Sequence, residues 1–336
     1  MTTHTGKVIE GYRYYGRSNL ANVNAYSAAL KQVGNEYGYT PWLYGAIGFP
    51  FMFRTTENVN TEPVLHELPH GRIVGLLNNL GVRVEGMSEV ASGERLAALR
   101  EEAWNTLRDK VDSGIPCFGR GFYFSHGETS VVQGYAAVEE TYLISCWHDI
   151  KSVLRHTLGE LDGLVDLHWM TSGGKAEDDR RTVRDALALA VDYAEGLLTS
   201  TDTYVSAAAY RHWAEQLRKG AVDGWFFAYA AHEWDTLKTH GYKFLKEAKE
   251  RLGVGAPSAL DRAIREFGAV QDRIHRVYEL FPWSQPRGLI ADTERRLEAA
   301  RLLEEAAPHD VATIEAFRSV VAELGESADD SGGMSA

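Results

Sequence analysis

Apolar residues in the first part of the chain recur at intervals of three and four. Leu20, Val23, Ala29, Leu30 and Val33 give one broad face to a helix predicted over residues 18–33, and Gly34 stops it as a C-terminal glycine cap. The next stretch, PWLYGAIGFPFMFRT, is dense in aromatic residues and glycine and reads as a strand, or a tight loop running into one. Two further helices are predicted over 73–80 and 96–111, the second from Leu96, Leu99, Ala103, Leu107 and Val111. From Ile115 the period changes. IPCFGRGFYF, ETSVVQGYAAV and ETYLISCW are short runs rich in β-branched and aromatic residues, bounded by Gly, Ser and Glu, and they predict consecutive strands of a mainly antiparallel sheet.

Small, flexible and charged residues mark a boundary at 171–180, TSGGKAEDDR. Beyond it the pattern is helical almost without interruption. Ser258 caps a helix whose face is Leu260, Ile264, Phe267, Val270, Ile274, Val277 and Leu280, and Pro282 and Pro286 end it. Asp292 and Asp310 read as the caps of two closing helices, the last showing Ile314, Phe317, Val321 and Leu324. The expected organisation is an α+β domain over 1–170, an all-α domain over 177–325 and a disordered tail over 326–336.

Composition narrows the partners. Lys plus Arg number 35 against 47 Asp plus Glu, a net charge of -12, and a field of that sign repels nucleic-acid phosphates and anionic lipid headgroups. Two cysteines, Cys117 and Cys146, are too few for a disulfide scaffold or a cysteine-rich zinc site and fit a reducing compartment. The N-terminus has no apolar core of signal-peptide length and no stretch reaches membrane-span length, so the expectation is a cytoplasmic protein without membrane contact.

Residues 108–147 carry the clearest motif. A helix ends in the polar turn Asp112, Ser113 and Gly114, a G-x-P strand begins at Ile115, and an E-x-x-V-V-x-G-Y strand follows with Glu128, Val131, Val132, Gly134 and Tyr135. Nearer the N-terminus, NLANVNAYSAALKQVG is followed by WLYGAIGFPF. On these segments the chain resembles the papain-like fold family of bacteriocin-leader peptidases and the N-terminal domain of butirosin biosynthesis protein H. The resemblance covers the first 150 residues and extends more loosely to AYRHWAEQL and ELFPW in the helical half. It implies a papain-like sheet with packed helices, a nucleophile at the head of the first helix and a histidine at the head of the motif strand. It also implies transfer of an acyl group from an acyl carrier protein to an amine.

The chain departs from that pattern at the nucleophile. Acyl transfer of this kind needs a thiolate whose pKa is lowered by a helix N-terminus and an imidazole. The corresponding position holds Tyr14, Tyr15, Gly16, Arg17, Ser18 and Asn19, with no cysteine. Four residues are candidates to replace it, each with a plainer alternative. Ser18 offers a hydroxyl or a helix cap; Cys117 offers a thiol or a small buried hydrophobe. His126 and Glu128 offer an acid/base pair, or a turn histidine beside a glutamate that binds backbone amides.

Arg13, Arg17, Asn19, Asn22 and Asn24 surround the first helix with donors suited to an oxyanion or a carboxylate, and Arg54 offers a bidentate clamp; solvated or capping roles are the alternative for the arginines. Trp42, Tyr44, Phe49, Phe51 and Phe53 line an apolar cleft or fill a core, and Tyr135, Trp147 and His148 are expected near the same cleft. Metal binding is not expected. His66 and His70 have Pro69 between them, and His232, Glu233, Asp235 and His240 lack the spacing of a zinc-protease helix.

The expected function is that of a small-molecule biosynthetic enzyme performing acyl-transfer or amide/ester chemistry in a cleft between the two domains. Glu128 or His126 moves protons, while Arg17 and Asn19 hold developing negative charge, without a helix-terminal cysteine and without a cofactor. The competing readings are a non-catalytic protein that binds a small molecule or a carrier protein, and a cyclase or lyase with no covalent intermediate. A homodimer is compatible with each.

Overall fold

The strands expected between Ile115 and Trp147 form the middle of a larger antiparallel sheet. The computed structural model describes residues 6–18, 20–59, 68–122, 128–147, 149–174, 176–199, 203–285 and 287–329. Within them the chain is mixed α/β and groups into two units, one of residues up to Thr40 with Leu77–Ala176, the other of Pro41–Leu76 with everything from Glu177 onward. The expected break near 171–180 is where the third and last passage between the units falls. The segment after Thr40, expected to belong with the sheet, groups with the helices instead.

In the first unit the strands are β1 (Lys7–Val8), β3 (Val82–Val90), β4 (Cys117–Arg120), β5 (Ser130–Ala136), β6 (Thr141–Cys146), β7 (Asp149–Leu154) and β8 (Leu164–Ser172). Their order is β3-β8-β4-β5-β6-β7, with β1 added to β5 beyond the end of β4. Every residue of β5 from Ser130 to Tyr135 is buried, so helices cover both of its faces. Tyr26 of α1 (Ala21–Gln32) packs edge-on against Phe118 at 5.4 Å. Trp104 of α4 (Gly93–Asp112) meets Tyr135 and Tyr142 at 5.9 and 5.3 Å. Of the predicted stripe of α4, Leu99, Ala103, Leu107 and Val111 are buried, each leucine contributing about 2 kcal/mol of transfer free energy, while Leu96 is only half-buried.

The first helix starts later than its apolar pattern suggests. Leu20 stands at its N-cap, and Ser18 lies ahead of it with Oγ accepting the Leu20 N–H at 3.1 Å. The predicted glycine cap holds: Gly34 has φ of 77°, and the Asn35 N–H reaches back to the Leu30 carbonyl. Strands β3 and β8 carry charges inside their apolar runs, which hides them from a pattern reading. On β8, Asp166 is buried and accepts from Arg120 Nε at 2.7 Å and from His168 Nε2 at 2.8 Å.

The second unit is helical: α2 (Pro41–Ala46), α3 (His70–Leu76), α5 (Asp179–Ala194), α6 (Ser206–Lys219), α7 (Gly224–Leu252), α8 (Leu260–Leu280) and α9 (Thr293–Asp329), with β2 (Arg54–Thr56) paired to β9 (Thr203–Val205). The stretch PWLYGAIGFPFMFRT thus enters its strand through a helix and a 3-10 turn at Phe49–Phe51. Pro41 favours this, because a proline in the first helical turn loses no backbone bond. Gly45 lets α2 lie directly on α7, since a Cβ there would meet the Phe244 ring at 1.9 Å. Asp292 caps α9 as expected, accepting the N–H groups of Glu294 and Arg295.

Asp310 does not begin a new helix. The chain continues through Pro308 as one helix, and Asp310 is buried within it, bonded to the Ser206 hydroxyl. Ser258 does not cap α8 either. Ala259 stands at that position, while the Ser258 N–H and hydroxyl both reach the Glu323 carboxylate. Helix α9 runs to Asp329, into the segment expected to be a tail, and residues 330–336 lie outside those described. No described helix is long and apolar enough to cross a membrane.

Two buried charges generate pH predictions. Burial alone would raise the Asp166 pKa, but the His168 hydrogen bond and the charges of Arg120 and His168 outweigh it and hold the group at about 2. Its stabilising effect is therefore complete above the ordinary carboxylate range near 3.8 and is lost as pH falls through about 2. Asp166→Asn is expected to cost about 3 kcal/mol in urea unfolding at pH 7, with a difference from the parent that shrinks below pH 4.

Lys238 of α7 is buried, donates to the Pro50 carbonyl at 2.9 Å, and lies over the rings of Phe53, Trp234 and Phe267 at 5.1 to 5.6 Å. Burial pulls its pKa from 10.5 to about 8 against the opposing charge of Asp310. Between those values the unfolded chain holds one more proton than the folded one, so stability rises with pH there. Lys238→Met is expected to remove about 3 kcal/mol of that rise, read from unfolding free energies at pH 7 and pH 10.

Candidate functional site

The N-terminal segment is laid along β5 by an exact fit of backbone to backbone. Lys7 and Val8 pair with Tyr135 and Gly134, and a Cβ on Gly134 would stand 2.1 Å from the Lys7 carbonyl oxygen. The glycine of the V-V-x-G-Y motif is thus the residue that admits β1. Beyond β1 the Ile9 N–H donates to the Gln133 carbonyl at 2.8 Å, and the Tyr12 hydroxyl to the Cys117 carbonyl at 2.6 Å. The Tyr14 N–H then reaches the Ser145 hydroxyl oxygen at 3.0 Å. These bonds bring Arg13, Tyr14 and Tyr15 alongside Ser145, Trp147 and Ile150, where they line a pocket of about 210 Å³.

Glu128 stands two residues ahead of β5, half-buried, where the first strand residues pair with the end of β6. Its Oε2 accepts the Trp147 indole N–H at 2.5 Å and the Cys146 thiol at 3.3 Å. The indole lies 6.1 Å from the Tyr14 ring, and Asn24 Nδ2 donates to the Tyr14 hydroxyl at 2.8 Å. Burial pushes the Cys146 thiol well above its usual pKa, and the Glu128 carboxylate pushes it further. Cys146 is therefore a protonated donor that fixes Glu128, and it has no thiolate character. Burial likewise raises the Tyr14 phenol.

The candidate residues separate into distinct surroundings. Cys117 is buried in β4 between Val132 and Trp169 of the neighbouring strands, and burial raises its thiol pKa far above neutrality. That is the environment of an inert core cysteine. Ser18 serves the turn before α1 through Leu20, and its own N–H is held by Asn24. Asn24 also donates to the carbonyls of Ser18 and Leu20, so it pins that turn. Asn22 is buried, with an Nδ2 that has no hydrogen-bond partner among the described residues. Arg17 is exposed and lies over the Tyr15 and Tyr39 rings at 5.8 and 5.6 Å. Tyr135 points its hydroxyl at Asp112, 2.8 Å away, on the side of α4. Asn19, His126 and His148 lie outside the described residues.

Trp42, Tyr44 and Arg54 belong to the helical unit, where the structure gives each a core role. Trp42 meets Phe244 at 4.9 Å and Tyr44 stacks on His240 at 4.0 Å. Arg54 is buried, donates to the Met52 carbonyl at 3.1 Å and lies over Trp234. Phe49, Phe51 and Phe53 are buried in the same unit. Among the described residues no group of three or more His, Cys, Asp or Glu side chains could hold a metal. His66 is outside them, and burial lowers His240 to about 4.

Five members of the site escaped the sequence reading: Tyr14, Tyr15, Ser145, Cys146 and Ile150. Cys146 had a signal, because it ends the strand beside the motif strand and precedes Trp147. Ser145 and Tyr14 had none, since they meet only through the pairing of β1, β5 and β6.

The thiol chemistry is open to a direct check. Neither cysteine is expected to react appreciably with a disulfide reagent at pH 8 in the folded protein, while both react in urea. Glu128→Gln removes the negative charge beside Cys146, so alkylation at Cys146, followed by peptide mass spectrometry, is expected to quicken while Cys117 remains unchanged.

No protein-family model matches this chain and no curated protein matches it, so the chemistry of the site rests on the residues that form it.

Proposed function

We propose that the sheet unit is a papain-like domain working without a cysteine nucleophile, in which Glu128 moves protons during acyl-transfer or amide/ester chemistry on a small molecule. The observation that carries this reading is the carboxylate of Glu128, held by two donors beside a pocket. Glu128 stands at the head of β5, where the resembled family has its histidine, and α1 packs on the same strand. Trp147 and Cys146 orient it as the third group of a triad orients its base.

In this reading Glu128 takes the proton of an attacking amine or hydroxyl as that atom bonds to the acyl carbon, then returns it to the leaving group. The negative charge that develops on the carbonyl oxygen needs donors fixed in advance. The unpartnered amide of Asn22, at the start of α1, is a described group available for it. With both thiols kept protonated, transfer is direct and leaves no thioester on the protein. A pocket of about 210 Å³ suits a group the size of an amino acid, and a carrier protein is a natural donor for such a group.

One observation favours a second reading, a binding protein on the same fold. Both donors converge on the same carboxylate oxygen, an arrangement that suits a fixed anion holding a ligand as well as it suits a base.

Aminolysis and hydrolysis of p-nitrophenyl acetate separate the two. Glu128→Gln, an isosteric change, is expected to lower kcat/KM by about 10² to 10⁴ with an unchanged melting temperature. Full turnover in that variant, or a stoichiometric acyl adduct on Ser18, Cys117 or Cys146 by intact mass, overturns the mechanism. A parent protein that binds acyl donors and never yields product belongs to the second reading.

A further inference from the structure

The lip of the pocket gathers positive charge that no carboxylate pairs among the described residues. Arg13 lines the pocket and lies 5.2 Å from the centre of the Tyr15 ring. Lys31 of α1 lies 4.4 Å from the same ring and Arg17 5.8 Å from it. All three are exposed, and none of them forms an ion pair among the described residues. Elsewhere the exposed arginines are commonly paired, as Arg72 is with Asp192, Arg218 with Glu304 and Arg318 with Glu195. Three like charges around one ring repel each other, in a chain whose net charge is -12 and which has carboxylates enough to pair them. Aromatic faces hold these cations instead, which leaves their hydrogen-bonding edges uncommitted.

We infer that this pocket binds the negatively charged end of a small organic acid, with Arg13 as the contacting cation and Arg17 and Lys31 supplying the field that draws it in. The inference rests on the proposed acid/base site only in naming that site's substrate class. A guanidinium at the wall meets a carboxylate or a phosphate with two parallel N–H bonds, and neighbouring cations raise the local anion concentration. Glu128, the nearby carboxylate, does not line the pocket; the indole of Trp147 does, and takes Glu128 by its N–H. The anionic head of the ligand therefore sits on the Tyr15 side, and its reacting end lies toward Trp147.

Titration calorimetry on the full chain with benzoate, inorganic phosphate, neutral benzamide and benzylammonium tests this. Saturable binding of benzoate or phosphate is expected, at least about tenfold tighter than of benzamide, and weakened when salt rises from 20 to 300 mM. Arg13→Ala, Arg17→Ala and Lys31→Ala are each expected to weaken it about two- to fivefold, and the triple variant more than tenfold. Benzamide or benzylammonium binding as tightly as benzoate overturns the inference, as does the absence of saturable anion binding or an unaffected triple variant.

Glu128→Gln separates this result from the acid/base reading. Anion binding that survives in that variant, together with unaltered turnover, removes the acid/base role and leaves the anion site standing. Turnover that depends on Glu128 in a protein that binds neither anion does the reverse.

Discussion

The register of β5 is the constraint on which the first unit depends. Val131 lies opposite Ser145 and Val132 opposite Ile144, but Gly134 lies opposite Leu143, so Gln133 is an extra residue bulged out of the ladder. Before the bulge, this register brings Glu128 to the end of β6 and so to Cys146 and Trp147. At the bulge, the displaced Gln133 offers its carbonyl to Ile9, and the bare Gly134 admits β1. The pocket wall from the N-terminal segment is thus set at Gln133 and Gly134, and the wall from the β6–β7 corner by the pairing just before them. A slip of one position in this pairing would turn each β5 side chain to the opposite face and separate the carboxylate from its donors.

Much of this architecture is legible in the sequence where burial follows a period. The stripe of α4, the three strands between Cys117 and Cys146, the break near residue 176 and the helical second half all declare themselves through spacing. Reading fails where tertiary contacts override local preference. The aromatic stretch after Pro41 has the composition of a strand, yet its rings belong to a short helix pressed on α7. Asp310 reads as the cap of a closing helix, yet the helix passes through Pro308 and buries the carboxylate. In the site, Glu128 is visible from its place in the motif. The pairing that completes it joins residues more than a hundred positions apart, such as Tyr14 and Ser145, which no local pattern can reveal.

The buried charges of the two units are handled in opposite ways. Asp166 is surrounded by its own counter-charges, a guanidinium and an imidazole with the Ser88 hydroxyl beside them, so burial coexists with ionisation. Lys238 has one carbonyl, three aromatic faces and the more distant charge of Asp310. Aromatic quadrupoles compensate an ammonium less fully than a carboxylate in contact does, which explains why only one of the two groups departs from its ordinary range against folding. Neither belongs to the candidate site, so its chemistry does not rely on them.

Trp147 has a backbone φ of 58°, in the left-handed region that a side chain as large as indole seldom occupies. Holding it there costs about 1–3 kcal/mol, which a glycine at the same place would recover. Folding and site therefore place opposing demands on this position. Glycine at this position would relieve the strain and remove in one step both the wall of the pocket and the donor that orients Glu128. The strain of that angle is set against what the indole touches, the Glu128 carboxylate and the Tyr14 ring.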